Sequence, residues 1–457
     1  MPQVKVSGVG LTADSDSMKP VQRITAGLLA LLTLAAPGRA TAQSGDEFEQ
    51  APIRYSATAP KDPIAKLEAR LHSGDLKLPG DDRAKFERLL RELDIPVESQ
   101  VIVFAKTSFQ RDRIKPSTPR AIFFNDEVYL GWVPGGLFEV ASMDPELGPI
   151  FYGFDPHEET VPNKARFGRD EDCLRCHGGQ FVRGIPSVFV RSVHSDEGGD
   201  PLLKFGSEVV DHRTPFNDRW GGWYVTGLHG QALHRGNVFV REEKGELVAD
   251  YRRGANVTNL APYFDVRPHL TNTSDIVALM VMEHQLATQN ALTKAAFAAR
   301  RMLHYQQSVQ RDLKEVVSEE PTYDSVRRVI ENAAQDVVDH LLFKDEAPLP
   351  PGGIQGSPGF QKVFTARGKR TPAGESLRDL ELKQRLFRNR CSYLIDSPQF
   401  LALPKALKER IYARLAKALQ PVEPDARYAY LPAEERARIV AVLRENHRGL
   451  PANWLAN

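Results

Sequence analysis

Two regimes of hydrophobic patterning divide the chain. Between residues 101 and 240, apolar residues come in short β-branched and aromatic runs: 101–104, 121–124, 128–133 and 150–154, then 187–190, 220–225 and 237–240. Turn residues separate them, including Asn125-Asp126, and this pattern predicts strands, the first four as an antiparallel meander. From residue 274 the apolar period becomes helical. Ser274 or Asp275 caps a helix running to about Tyr305, and 321–343 carries Val326, Val329, Ile330, Ala333, Val337 and Leu341 on one stripe. Further helices are expected over 380–393, 404–419 and 432–445, the last with Pro432 at its first position. Ahead of the strands, 63–72 and 81–93 read as short amphipathic helices, with Phe86, Leu89, Leu90 and Leu93 on one face of the second. The fold class is therefore α+β: an antiparallel β-rich region followed by a mainly α-helical half.

The N-terminus reads as an export signal. Lys19 and Arg23 precede an uncharged apolar run over 24–36, Pro37 ends it, and Ala40-Thr41-Ala42 has the A-x-A form of a cleavage site. Thirteen apolar residues are too few to span a bilayer, which takes about 20. The expected organisation is a signal with an upstream extension (1–42, cleaved after Ala42), a polar, loose stretch (43–60) opening a β-rich domain (43–273), long helices packing on it (274–345), a Pro/Gly-rich linker or long surface loop (346–375) and a C-terminal helical region (376–457). No transmembrane segment is expected in the processed chain. The chain carries 60 basic and 59 acidic residues. Residues 1–42 remove few of either sign, and this balance argues against nucleic acid as a partner.

The chemistry concentrates at Cys173-Leu174-Arg175-Cys176-His177. Two thiols three residues apart on one side of a helical turn can each bond one vinyl group of a porphyrin, and the next histidine then lies beneath the iron. With 3 Cys and 12 His in 457 residues, chance supplies this pentapeptide about 5 × 10⁻⁴ times per chain. A structural zinc site needs about four Cys/His ligands. The third cysteine, Cys391, lies far along the chain without a C-x-x-C partner, among apolar positions that suit a buried thiol. The expected cofactor is one covalent haem c on Cys173 and Cys176, with His177 as the proximal ligand. Haem is attached to such motifs after export in bacteria, so motif and signal agree on a periplasmic protein.

The far side of the iron is open to several candidates. His284 shares an apolar stripe with Ile276, Met280, Ala287 and Ala291 and should point inward, either as a ligand or as a hydrogen-bonded core histidine. Met280 is an alternative on the same face. Segment 211–235 gathers His212, His229 and His234 with Trp220, Trp223 and several arginines. His229 ranks with His284 as distal ligand, ahead of His212 and His234. Arg191, Arg213, Arg219 or Arg235 can pair with propionates. A second metal on His212, His229 and His234 lacks a tight ligand spacing.

At Cys173–His177 the chain resembles the c-type cytochromes. Two further segments, 211–230 and 388–404, resemble parts of large exported single-haem bacterial proteins. The resemblance implies haem and export but no particular reaction. A second C-x-x-C-H, which the two-haem peroxidase pattern requires, is absent. The expected function is electron transfer between a donor and the respiratory chain, with a redox partner protein or a small-molecule donor as partner. The alternative is a haem-dependent oxidoreductase with an open sixth iron site. A haem-based sensor ranks third, since no output domain is evident.

Overall fold

The β-branched runs pair into a single antiparallel sheet, and its two faces carry different kinds of neighbour. The computed structural model describes residues 47–78, 80–158, 166–169, 171–179 and 184–455; the segment expected to be an export signal, with its expected cleavage site, lies outside them. The described residues belong to one compact unit. Helices α1 (Pro63–Ser73) and α2 (Asp82–Glu92) begin at Asp62 and Asp81, whose carboxylates accept the first free N–H groups. Strands β1 (Val101–Val103), β2 (Arg120–Phe124), β3 (Val128–Trp132), β4 (Phe138–Asp144), β5 (Gly148–Phe154) and β6 (Gly168–Arg169) follow as a meander. After helix α3 (Leu174–His177) come β7 (Val190–Val193) paired with β8 (Ser207–Val210), then β9 (Trp223–Tyr224), and a hairpin of β10 (Val240–Glu243) and β11 (Glu246–Ala249). Strand β9 returns to pair with β1, so the main sheet has the order β6-β5-β4-β3-β2-β1-β9.

Register assigns the faces. Phe123, Leu130, Val140 and Tyr152 align across β2 to β5, and with Trp132, Phe138 and Phe154 they form one face. Phe86 of α2 packs into it, 5.4 Å from Phe123, 5.0 Å from Trp132 and 5.1 Å from Phe138 between ring centroids. The opposite face aligns Phe124, Tyr129, Ala141 and Phe151, with Gly131, Glu139 and Gly153 in the next row.

The second half is helical, as its period predicts. Helix α4 (Ile276–Asp312) starts at Asp275, whose carboxylate accepts the N–H groups of Val277 and Ala278, both at 2.9 Å. Its first turns are buried on every side, which their near-continuous apolar sequence requires. Helix α4 binds the sheet through amides: Gln285 donates to the Tyr129 hydroxyl (2.6 Å) and Gln289 accepts from it (2.7 Å). Helix α5 (Asp324–Leu341) packs on α4. Helices α6 (Pro358–Ala366), α7 (Pro398–Leu401), α8 (Lys405–Leu419) and α9 (Ala433–Asn446) complete the chain, with α8 against α5.

Several expectations need correction. Residues 346–375 are not a linker. Ser357 caps α6, Pro358 opens it, and Phe360 and Phe364 are buried. The described part of 43–60 is not loose, for Phe48, Ile53 and Tyr55 are buried and the Tyr55 hydroxyl donates to the Pro149 carbonyl at 2.6 Å. Residues 380–392 are not a helix. The Glu381 carboxylate accepts the N–H groups of Lys383, Gln384 and Arg385, diverting the donors a helix would use. Pro432 stands at the cap of α9 rather than inside it.

Candidate functional site

The Cys-x-x-Cys-His motif folds as one tight turn. A 3-10 turn, Glu171–Cys173, runs directly into α3, which ends when the Gly178 N–H returns to the Leu174 carbonyl at 2.8 Å. Cys173 is half-buried and Cys176 exposed, and neither is in a disulfide. Cys391 is a buried thiol, as expected, with its ionisation pushed up by burial.

His177 is held in one tautomer. Its Nδ1 lies 2.9 Å from the Ser187 carbonyl oxygen, and the Ser187 N–H donates back to the His177 carbonyl at 2.8 Å. A carbonyl only accepts, so Nδ1 carries the proton and the Nε2 lone pair is left for a ligand. Burial holds the imidazole below its ordinary pKa, which keeps it neutral. Phe151 of β5 and Phe189 flank the ring, at 4.8 Å and 5.4 Å between centroids. Helix α4 fixes the same segment, since Asn290 accepts from the Val188 N–H at 3.2 Å and donates to its carbonyl at 2.7 Å.

The sheet near Phe151 is open at Gly153 among the described residues. In the row next to Phe151, Gly153, Glu139 and Gly131 lie side by side on β5, β4 and β3. A Cβ on Gly153 would meet no atom of the described residues within 4 Å. Glu139 pairs with Arg120 at 2.5 Å, and the Arg120 Nε has no hydrogen-bond partner among the described residues. Arg191, on β7, lies close enough to Cys176 for their charges to interact. A neutral, oriented histidine, two thiols on one turn, open space beside Gly153 and nearby arginines fit a covalently held, flat, dianionic macrocycle.

The other sequence candidates sit in different surroundings. The fully buried His284 ring stacks on Phe343 at 3.9 Å, and its Nε2 bonds the Ser392 hydroxyl at 2.8 Å. It points inward as predicted and has the surroundings of a hydrogen-bonded core histidine. His212 joins the same group, 5.6 Å from the His284 ring and 5.8 Å from that of His340. Burial lowers His212 to about 3. His229 lies 4.7 Å from His234 and accepts the Asn256 N–H on its Nε2 at 3.0 Å. His212 thus belongs to one cluster, and His229 with His234 to another. Among the described residues no group of three or more His, Cys, Asp or Glu is arranged to hold a metal ion. Met280 is buried in α4.

Of the propionate candidates, Arg213 pairs with Asp211, Arg235 with Asp218 and Glu208, and Arg219 with the buried Glu283. Arg191 lies within electrostatic reach of Cys176. Residues that sequence reasoning missed are Ser187, Phe189, Phe151 and Gly153. The signal for Ser187 is slight, a polar residue ten positions after the motif.

A half-buried carboxyl near these clusters gives a pH signature. Burial pushes Glu346 up to about 7, against the opposing Leu386 N–H bond and the charges of Arg390, Arg385 and Arg219. The protonated form is the one the fold favours. Its stabilisation is complete below the unfolded value near 4.5 and is lost as pH rises through about 7. Glu346→Gln keeps an acceptor for the Leu386 N–H and cannot ionise. Its melting temperature is therefore expected to fall less than that of the wild type between about pH 4.5 and 7. Parallel melting curves for the two proteins across that window would rule out this assignment.

Among the described residues no helix is long and apolar enough to cross a membrane. Comparison of the chain with family models, with curated proteins and with solved structures gives no match.

Proposed function

We propose that this protein is an exported, periplasmic c-type redox protein that carries one haem on Cys173 and Cys176, ligated by His177, and works in electron transfer with a partner protein or a small-molecule donor. The observation that carries the reading is the bond from His177 Nδ1 to the Ser187 carbonyl on a Cys-x-x-Cys-His turn. It leaves Nε2 as the ligating atom and fixes the ring plane. When bound, the haem supplies one-electron chemistry. The chain's own part is to hold the thiols on one turn, orient His177 between Phe151 and Phe189, and offer Arg191 and Arg120 to the propionates.

A second reading gains from one observation. His284 and His229 each engage another partner through Nε2, with Ser392 and with the Asn256 N–H. A six-coordinate carrier that uses either ring through Nε2 must break that bond, whereas the Nδ1 of each has no hydrogen-bond partner among the described residues. An enzyme with an open sixth position need break neither. Absorption spectra of the purified, reduced haem protein with and without carbon monoxide separate the two. A low-spin spectrum unmoved by the gas supports the carrier and rejects the open site. A shifted spectrum supports the enzyme. A purified periplasmic protein without covalent haem would reject both.

A further inference from the structure

Three side chains from separate parts of the C-terminal half form one hydrogen-bonded line. Asp396 ends a 3-10 turn, Tyr393–Asp396, Tyr412 lies midway along α8, and His447 stands at the end of α9. His447 Nδ1 lies 2.6 Å from Asp396 Oδ1, and its Nε2 lies 2.9 Å from the Tyr412 hydroxyl. A carboxylate only accepts, so Nδ1 carries the imidazole proton. Nε2 is then the acceptor, and the phenol donates to it. The His447 side chain is 1% exposed, Tyr412 is buried, and Gly449 closes over the bond, where a Cβ would collide with the phenol oxygen and with Nε2. Phe400 packs against both rings, at 5.9 Å from each between centroids. Only the Asp396 end reaches solvent: its side chain is 29% exposed on a cavity of about 280 Å³, and Lys369 lies 3.9 Å from its other oxygen. Tyr152, Tyr323 and Tyr428 donate to carboxylates instead. An imidazole is the stronger base by about two pKa units.

We propose that Tyr412 is a redox-active tyrosine. A one-electron oxidant of high potential takes an electron from the phenol ring, and the phenol proton moves along the existing bond to His447 Nε2. The oxidant is reduced by one electron, and a neutral tyrosyl radical and an imidazolium remain. Asp396 stabilises the imidazolium, as a carboxylate on Nδ1 does wherever a histidine takes up a proton in place. Returning the electron returns the proton along the same bond. Burial and the Asp396 charge push the Tyr412 phenol up to about 12, so it keeps its proton at neutral pH until an electron leaves. Loss of that electron makes a phenol strongly acidic, and a base already in hydrogen-bond contact takes the proton without rearrangement. The site is a one-electron centre made of side chains alone and stands whether or not the haem reading holds.

Flash oxidation of the full purified chain, any haem already ferric, tests it. The oxidant is ruthenium(III) tris-bipyridine, generated by light with a cobalt(III) ammine as electron acceptor. A fast phase of neutral tyrosyl radical is expected at neutral pH, followed by transient absorption and identified by electron paramagnetic resonance. Tyr412→Phe removes one oxygen and should remove that phase. His447→Gln still offers the phenol an acceptor but takes no proton, and should slow the phase about 100-fold, the low end of what a positioned base contributes. Asp396 is partly exposed, so Asp396→Asn disturbs the fold least, and it should also slow the phase because the imidazolium loses its counter-charge. Thermal melts of the three variants separate a lost phase from a lost fold. A fast phase that survives in Tyr412→Phe, or an unchanged rate in His447→Gln or Asp396→Asn, would overturn the proposal.

Discussion

Replacing Cys173 and Cys176 together by alanine is expected to abolish covalent haem completely. In the proposed attachment each thiol would supply one thioether, so no other change to so few atoms should remove it outright. The wild-type chain, made with export and haem-attachment machinery, should keep its haem through denaturing electrophoresis, and the double variant should not. The fold should survive in the apo chain. Cys176 is exposed, Cys173 is half-buried, and alanine is the better helix former by about half a kcal/mol per site. Circular dichroism of the variant should therefore match that of haem-free wild type, which separates lost attachment from lost folding. His177→Ala should keep the thioethers but change the iron spectrum, because the Nε2 left available by the Ser187 bond is gone. Haem staining that persists in the Cys173→Ala/Cys176→Ala protein would refute the central assignment.

What sequence reasoning reached, and where it stopped, follows from the range of each force. The motif is local: five consecutive residues carry thiols and imidazole, and their turn needs nothing from afar. The meander was legible because β2 and β3 are rich in β-branched and aromatic residues across an Asn-Asp turn. Strand β4 was overlooked although Phe138, Val140 and Ser142 alternate with Glu139, Ala141 and Met143 between two turns. Its small and polar residues diluted a period that was present. The Pro/Gly richness of 346–375 hid α6, whose Ser357-Pro358 start is itself a helix signal. Inward pointing of His284 follows from helical period, but its choice of Ser392 is a contact across more than a hundred residues. No spacing rule reaches that far. The same holds for the tautomer of His177 and for the open space beside Gly153. Each depends on which strands and loops become neighbours.

The segment at 211–235, with its histidines, tryptophans and arginines, gains a structural role that leads to the largest expected loss of stability. Glu283 sits in the apolar first turns of α4 and is fully buried. Its carboxylate accepts from Arg219, also buried, and from the Trp220 indole N–H at 2.5 Å. Burial pushes the carboxyl up, yet both oxygens face groups that only donate, so the ionised form is the one this geometry holds. Trp220 adopts a left-handed backbone (φ 68°), a conformation that costs a bulky residue energy and persists only when its surroundings enforce it. Glu283→Ala removes that enforcement, strands the Arg219 charge and leaves the indole N–H without its acceptor. A loss of about 3–5 kcal/mol is expected, read as a lower midpoint in urea. Glu283→Gln should lose less, since it still accepts from Trp220. Arg219→Met combined with Glu283→Leu should recover most of the loss, because a buried pair replaced by apolar groups costs little, whereas a buried charge without its partner costs much. If Glu283→Ala unfolds at the wild-type midpoint, the pair does not anchor the 211–235 segment to α4. If the double variant is as unstable as Glu283→Ala, the loss comes from packing rather than from a stranded charge.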